Sequence, residues 1–293
     1  MDFDLAQLRA LAAAVDGGTF DAAARQLHVT PSAISQRIRS LENAVGGVLL
    51  QRGKPITPTT AGLPYLRLAR QVEALAADAA SEAALSEGSH MPTIPLAING
   101  DSLATWVMPA LGELAGDVTF DIHREDQDHS AALLRDGTVV AAITTEVQPV
   151  QGCTVRRLGV MRYRPMASPA FADRWFAGTV DARTLAPAPV VVFDRKDDIQ
   201  DQYLRARSRT PLDPPRHYVP GSADFAEAVR LGFGWAMLPD IQSAGPESRG
   251  ELVDLHPGHH VDIVLYWQQW ALHTNALERV AQAIGRAAAR SLT

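Results

Sequence analysis

A sharply specified helix near the N-terminus constrains the fold of this chain more than any other feature. Its start is marked by Thr30 and Pro31, because threonine caps a helix and proline is tolerated at the first helical position. Its apolar side chains fall at helical spacing: Ile34, Ile38, Leu41 and Val45. Two shorter helical patterns precede it, separated by glycines at 17–18 and a tight turn at 28–29. The pattern therefore predicts a small all-α domain of three closely packed helices.

The opposite face of this predicted helix carries hydroxyl, amide and guanidinium groups, which suit base edges and phosphates in a DNA major groove. Between residues 20 and 60 basic side chains outnumber acidic ones, although the whole chain has a formal net charge of −6. A positive region in an acidic chain is typical of local DNA binding. The groove contacts predicted here are Thr30, Pro31, Ser32, Ser35, Gln36, Arg37 and Arg39. A solvated polar face on an ordinary helical hairpin is the alternative.

Residues 46–62 predict a short two-stranded wing after the third helix. Arg52, Thr57 and Thr59 of this wing are predicted to reach phosphates beside the groove.

An alanine-rich helical pattern follows the wing, and a stretch with glycine and two prolines breaks it. These boundaries predict a DNA-binding domain at 1–58, a linker helix at 59–87 and a hinge at 88–95. Packing of the linker helix on its own domain is the alternative to pairing with a second chain.

Residues 92–293 alternate between strand-like and helix-like patterns, which predicts open α/β sheets. The predicted strands include 96–98, 118–123, 139–144, 190–193, 235–238 and 261–267, and the predicted helices include 102–114, 131–135, 225–231 and 275–291. Ligands of such sheets bind beyond the carboxyl ends of strands, where helix N-termini offer free N–H groups.

Polar residues stand where these predicted strands end or the next helix begins. They are Asp101, Ser102, Thr144, Glu146, Asp194, Asp197, Asp198, Ser222 and Asp224. The two serines can receive an α-carboxylate, and the carboxylates suit a ligand with an ammonium or guanidinium end. The alternative is that the serines merely cap helices and the acids are solvated.

Four stretches of the N-terminal region resemble the winged helix-turn-helix of LysR-type transcriptional regulators. They are residues 19–24, 29–38, 41–42 and 57–62. Pro31 and Gln36 stand where many members carry glutamine and arginine, so the base preference of a typical relative cannot be carried over. The resemblance implies a double-stranded DNA operator as partner, a dimer formed through the linker helix, and a tetramer.

A second resemblance runs nearly end to end and is most specific over residues 97–111. With 189–194, 197–198 and 265–267, this stretch is similar to the lysine/arginine-export regulators of the ArgP/LysG/IciA type. The resemblance adds Trp106 to the effector-binding candidates and implies L-lysine or L-arginine as effector. It also implies control of the expression of an amino-acid exporter gene, with activation and repression by the ligand both left open. A neutral amino acid or an aromatic acid as effector is the alternative.

The same resemblance implies an effector domain of two lobes, similar to periplasmic binding proteins. Lobe 1 would comprise about 92–162 and 267–293, and lobe 2 about 163–266.

Other patterns argue against further classes of protein. Cys153 is the single cysteine, so one chain can build neither a disulfide nor a thiolate metal cluster. The histidines of 256–260 lack metal-ligand spacing, and 232–234 lacks the third glycine of a dinucleotide site. We therefore expect no metal, no cofactor and no enzyme activity.

The sequence also bears on location. No apolar run approaches the roughly 18–20 residues that cross a bilayer, and the N-terminus is unlike a signal peptide. We expect a cytoplasmic protein without a membrane partner, and a transport-type binding protein is disfavoured.

Overall fold

The computed structural model describes residues 3–83, 91–124 and 130–293. Its helices are α1 (Leu5–Asp16), α2 (Phe20–Gln26), α3 (Pro31–Val45), α4 (Leu63–Ala83), α5 (Gly100–Ser102), α6 (Met108–Gly112), α7 (Ser130–Asp136), α8 (Pro169–Trp175), α9 (Ala182–Leu185), α10 (Ile199–Arg205), α11 (Ser222–Arg230), α12 (Asp240–Ser248) and α13 (Asn275–Ser291). Its strands are β1 (Leu50–Gln51), β2 (Thr57–Pro58), β3 (Thr93–Ile98), β4 (Thr119–Arg124), β5 (Ala141–Thr144), β6 (Cys153–Ala167), β7 (Val190–Val192), β8 (Arg216–Tyr218), β9 (Ala236–Pro239), β10 (Val253–Asp254) and β11 (Val261–Trp270).

The chain folds into two compact units, each built from three segments. The first unit comprises Met1–Ala97, Leu114–Val155 and Gln268–Ala281. The second comprises Ile98–Glu113, Arg156–Trp267 and Gln282–Thr293.

The N-terminal part of the first unit is a winged helix-turn-helix. Helices α1 to α3 enclose an apolar core to which Leu11, Ile34 and Leu41 each contribute a fully buried side chain. Thr30 caps α3 through its hydroxyl, and Gly46 ends the helix with a left-handed φ of 73°. Strands β1 and β2 pair antiparallel and form the wing. The predicted all-α domain and its wing are confirmed.

Helix α4 begins at Leu63 rather than at the predicted Thr59. The Thr59 hydroxyl donates to Val48 O at 2.7 Å and accepts from Gly62 N at 3.0 Å, so residues 59–62 form a turn that ties the wing to α4. A Cβ on Gly62 would collide with the carbonyl oxygen of Leu49, so only glycine fits this approach. Of the predicted hinge, residues 88–90 lie outside the described part of the chain, and 93–95 belong to β3.

The first unit also contains parallel strands β3 and β5, with Leu96 opposite Ala141. Strand β4 adjoins β3, and the last residues of β11 adjoin β5. In the second unit β6 pairs antiparallel with both β9 and β10, and β7 pairs parallel with β8. The predicted α/β class is confirmed, as are the positions of α7, α11 and α13.

Two further differences from the prediction bear on the candidate ligand site. Strand β6, with 15 residues, was not predicted, although its inward residues Gly159, Met161 and Tyr163 alternate with outward ones. The predicted helix 102–114 is instead a helical run over 100–112 with a π-helical turn at Leu103–Val107. Pro109 lacks the N–H of a normal helix and its ring crowds the preceding turn, which the wider π turn accommodates.

Candidate nucleic-acid interface and ligand site

The polar face of α3 is solvent-exposed as its pattern predicts. Thr30, Pro31, Ser32, Gln36 and Arg39 are exposed, whereas Ser35 and Arg37 are half-buried at the edge of the face. The Thr30 Oγ1 caps the helix by accepting from Ala33 N at 3.2 Å and lies 2.9 Å from the Ser32 hydroxyl. The start of α3 is therefore capped by its own side chains, and most of the predicted groove contacts are accessible to solvent.

The three predicted phosphate contacts of the wing differ in their exposure to solvent. Arg52 and Thr57 are exposed on the hairpin. Thr59 is half-buried and its hydroxyl hydrogen is directed to Val48 O, so a phosphate contact would require that bond to break.

Asp101 lies at the centre of a hydrogen-bonded cluster in the second unit. Its carboxylate accepts from the Tyr163 hydroxyl at 2.8 Å and from the Ser222 hydroxyl at 2.7 Å. Burial, together with the charge of Asp101 and its hydrogen bond, raises the pKa of Tyr163 well above its ordinary value, so the phenol stays protonated and donates. The structure thus brings together Asp101 and Ser222, two residues that stand 121 positions apart in the sequence.

Three buried polar atoms beside Asp101 in the sequence have no hydrogen-bond partner among the described residues: Asn99 Oδ1, Ser102 Oγ and Trp106 Nε1. Their residues are 6%, 0% and 3% exposed. Asn99 is the N-cap of the helical run, Ser102 lies in its first turn, and Trp106 lies in its π turn. A buried polar group without a partner costs about 1–3 kcal/mol, so such a group indicates a place where a ligand or water supplies the missing bond.

The three aspartates after β7 lie in different environments. Asp194 Oδ1 accepts from the backbone N–H groups of Lys196 and Asp197 at 2.6 and 3.0 Å, which forms a local turn. Asp198 is exposed and pairs with Arg205 at 2.9 Å, and this hydrogen bond lowers the pKa of Asp198.

Asp197 is the inward member of this group. It accepts from the backbone N–H groups of Phe193 and Ile199, both at 3.1 Å. Burial raises the pKa of Asp197 despite these bonds, and the charge of Asp101 acts in the same direction. The carboxylate that interacts with Asp101 is therefore Asp197 rather than Asp198.

The remaining predicted ligand residues are placed as follows. Asp224 is exposed in the first turn of α11, and its carboxylate lies over Gly221. Thr144 and Glu146 belong to the first unit, where buried Thr144 accepts from Glu146 N at 3.1 Å. The Gln268 amide holds the loop beyond them through Glu146 O and Gln148 O, each at 3.0 Å.

The strand-end rule placed Asn99 in the stretch that follows β3, but Asn99 was not chosen as a ligand residue, and Tyr163 was not identified at all. Tyr163 lies in the unpredicted strand β6, and no local pattern connects it with Asp101.

Among the described residues no group of three or more His, Cys, Asp or Glu side chains could hold a metal ion. The rings of His256 and His259 stack at 3.6 Å, and His256 Nδ1 accepts from Arg207 Nε at 3.3 Å. None of the described helices combines the length and apolarity needed to cross a membrane.

Comparison with known proteins assigns the class. Residues 5–63 match the bacterial regulatory helix-turn-helix protein, lysR family, and residues 87–289 match the LysR substrate binding domain. The chain belongs to the LysR family and is a transcriptional regulator that binds DNA through its helix-turn-helix domain. The predicted family is confirmed.

Two relatives show which regulators of the LysR family the chain resembles. The HTH-type transcriptional regulator LysG of Mycobacterium tuberculosis is 46% identical over 286 residues, covering 98% of this chain and 93% of that protein. The lysine export transcriptional regulatory protein LysG of Corynebacterium glutamicum is 39% identical over 294 residues, covering 98% of each.

Two solved structures of regulators with these names have a similar fold. ArgP from Mycobacterium tuberculosis is similar with a TM-score of 0.93 and 44% identity, covering 100% of this chain and 99% of that one. Full-length LysG from Corynebacterium glutamicum with bound effector Arg is similar with a TM-score of 0.85 and 35% identity, covering 99% of each chain. The predicted similarity to the LysG and ArgP subgroup is confirmed.

Proposed function

We propose that this regulator senses a basic amino acid, L-lysine or L-arginine, and controls the expression of an amino-acid exporter gene. The observation that carries the proposal is the cluster around Asp101, where carboxylates stand beside buried polar atoms without partners. The similar LysG structure that contains Arg supports a basic effector, and the name of the lysine export regulator supports the exporter.

The chemistry of the cluster suits both ends of such a ligand. Asp101 and Asp197 repel each other electrostatically, and a guanidinium or ammonium group would relieve that repulsion. The Ser102 hydroxyl and the Trp106 indole N–H are donors without acceptors, and an α-carboxylate would supply acceptors for them.

The other acidic candidates support the proposal less strongly, because Asp194, Asp198 and Asp224 already have local roles. Thr144 and Glu146 remain predicted effector residues, because Thr144 ends β5 and Glu146 follows that strand.

On the DNA side, we infer that Ser32, Ser35, Gln36, Arg37 and Arg39 enter the major groove, with Thr30 and Pro31 at the start of α3. Arg52 and Thr57 would contact phosphates, with Thr59 supporting the wing. The chain would act as a dimer through α4, and as a tetramer, in the cytoplasm.

Isothermal titration of the purified full-length protein with lysine, arginine, leucine and benzoate tests the effector proposal. We expect saturable binding of lysine, arginine or both, and none of the other two. Binding of leucine or benzoate instead would replace the basic effector by a neutral amino acid or an aromatic acid. Absence of binding by all four would refute the proposed effector class.

A further inference from the structure

Arg70, on the linker helix α4, bonds to two different parts of the first unit. Its guanidinium pairs with Asp16 at the end of α1 in the winged-helix domain. The same group donates to Asp136 O, at the end of α7, at 3.3 Å and to the Thr138 hydroxyl, in the turn before β5, at 3.4 Å. One side chain, only 18% exposed, thus links the DNA-binding domain to the effector-binding region.

Arg67, one turn earlier on α4, lies against two glycines of the effector-binding region. A Cβ on Gly137 would lie 3.1 Å from the Arg67 Cα, and a Cβ on Gly152 would overlap the Arg67 guanidinium. Both glycines also have left-handed φ angles, 81° and 73°, that other residues rarely adopt. The backbone at both positions is therefore shaped to receive α4.

A third contact lies further along the same helix. Asp78 Oδ1 accepts from the backbone N–H of Asn275, the first residue of α13, at 3.1 Å. The linker helix is thus held against the effector-binding region at three levels over most of its length.

The charges around Arg70 make its position sensitive to substitution. Burial raises the pKa of Glu73, and the charge of Asp16 raises it further, while Arg9 and Arg70 act in the opposite direction. The charge of Arg70 therefore opposes the repulsion between the carboxylates of Asp16 and Glu73, and the loss of Arg70 would leave that repulsion less compensated.

The two arginines hold both ends of one segment. That segment runs from Thr138, which binds Arg70, through β5 to Gly152, which lies under Arg67. Its middle carries Thr144 and Glu146, the predicted effector residues of the first unit. The Gln268 amide stiffens the second half, because it also accepts from Val150 N at 3.0 Å.

We propose that Arg67 and Arg70 form the junction that transmits the effector signal to the DNA-binding domain, with the Arg70–Asp16 ion pair as its last link. Arg70 is a positioning residue, and it acts through the protein groups to which it bonds, Asp16, Asp136 and Thr138. The inference rests on the proposed function, because it requires the effector to act on the segment 138–152.

The test compares Arg70→Gln and Asp16→Asn with Arg230→Gln, a control that removes an exposed ion pair with Glu227 on α11. Binding is measured to the DNA duplex that the wild-type full-length protein selects from a random pool, with and without saturating arginine. Arginine affinity and the melting temperature of each variant are measured in parallel. Since allosteric ligands typically change affinity about 5–150-fold, a loss of coupling is readily detected.

We expect the ratio of the two DNA affinities to fall to within about twofold of one in Arg70→Gln and Asp16→Asn, with arginine affinity unchanged and Arg230→Gln like the wild type. A wild-type ratio in both junction variants would overturn the inference. So would loss of arginine binding, because Arg70 would then act on the ligand site itself.

Hydrogen exchange, measured in the absence of effector, tests the role of Arg70 independently of the proposed function. Arg70→Gln should speed exchange both at the end of α1 and in residues 136–140, because Arg70 bonds to both. If the wild type binds neither lysine nor arginine, the proposed effector is wrong, and this measurement still decides whether Arg70 joins the two regions. Exchange that changes on one side only, or on neither, would overturn the junction.

Discussion

The Ser102 hydroxyl offers a test in which stability and ligand binding change in opposite directions. Its side chain is fully buried and its oxygen has no partner among the described residues. Because an unpaired buried polar group costs about 1–3 kcal/mol, Ser102→Ala should stabilise the ligand-free protein by up to that amount. For a unit of this size each kcal/mol corresponds to roughly 2–4 °C in Tm.

Ser243 provides the matched control. It is equally buried, but its hydroxyl accepts from Arg164 Nη2 at 3.3 Å. Removing that partner should destabilise the protein by about 1 kcal/mol, because Arg164 keeps its bonds to Asp240 and Glu247.

The test measures the Tm of both variants by thermal unfolding and their arginine affinity by titration. We expect Ser102→Ala to raise Tm and weaken arginine binding about tenfold, the equivalent of about 1.4 kcal/mol. Ser243→Ala should lower Tm and bind arginine like the wild type. A lowered Tm in Ser102→Ala would show that its hydroxyl already has a structural partner, and the reasoning from unpaired atoms would fail.

Three further results are expected. Gly62→Ala should destabilise the winged-helix domain by about 1–3 kcal/mol and abolish DNA binding, since the new Cβ collides with Leu49 O; a wild-type melting curve would contradict this. If Arg39 contacts a phosphate, Arg39→Ala should weaken binding about equally to all duplexes. If Arg39 reads a base, the variant should instead lower discrimination at one base pair by about 1–3 kcal/mol. Unchanged binding in a gel-shift assay would show that Arg39 is not part of the interface. The affinity for arginine should decline as the pH falls, and the decline should begin at a higher pH than the titration of an ordinary aspartate, because burial raises the pKa of Asp197. Protonated Asp197 is neutral and no longer attracts a cation. A flat profile down to pH values near 4 would contradict this.

The strongly periodic elements could be predicted from the sequence, and the reason is local. Helix α3 has a cap, a proline at its first position and one apolar stripe, and α13 has a sustained helical period. Their formation depends little on distant residues. The start of α4 could not be placed, because the Thr59 hydroxyl forms a turn with the wing instead of continuing the helix.

The candidate ligand site was only partly predictable for the opposite reason. Strand ends drew attention to Asp101, Ser102 and Ser222, and two of these three do bond to each other. Two tertiary features decide which aspartate after β7 points inward. Arg205 neutralises Asp198, and backbone N–H groups hold Asp197. Such tertiary choices leave no periodic signal in the sequence.

The central claim is that carboxylates select the cationic end of the effector. The most direct measurement compares the affinity for arginine with that for citrulline, its neutral counterpart of nearly the same shape, in the wild type, Asp197→Asn and Asp198→Asn. We predict that arginine is strongly preferred by the wild type and by Asp198→Asn, and that Asp197→Asn loses most of the preference. Equal affinity of the wild-type protein for arginine and citrulline would contradict the account.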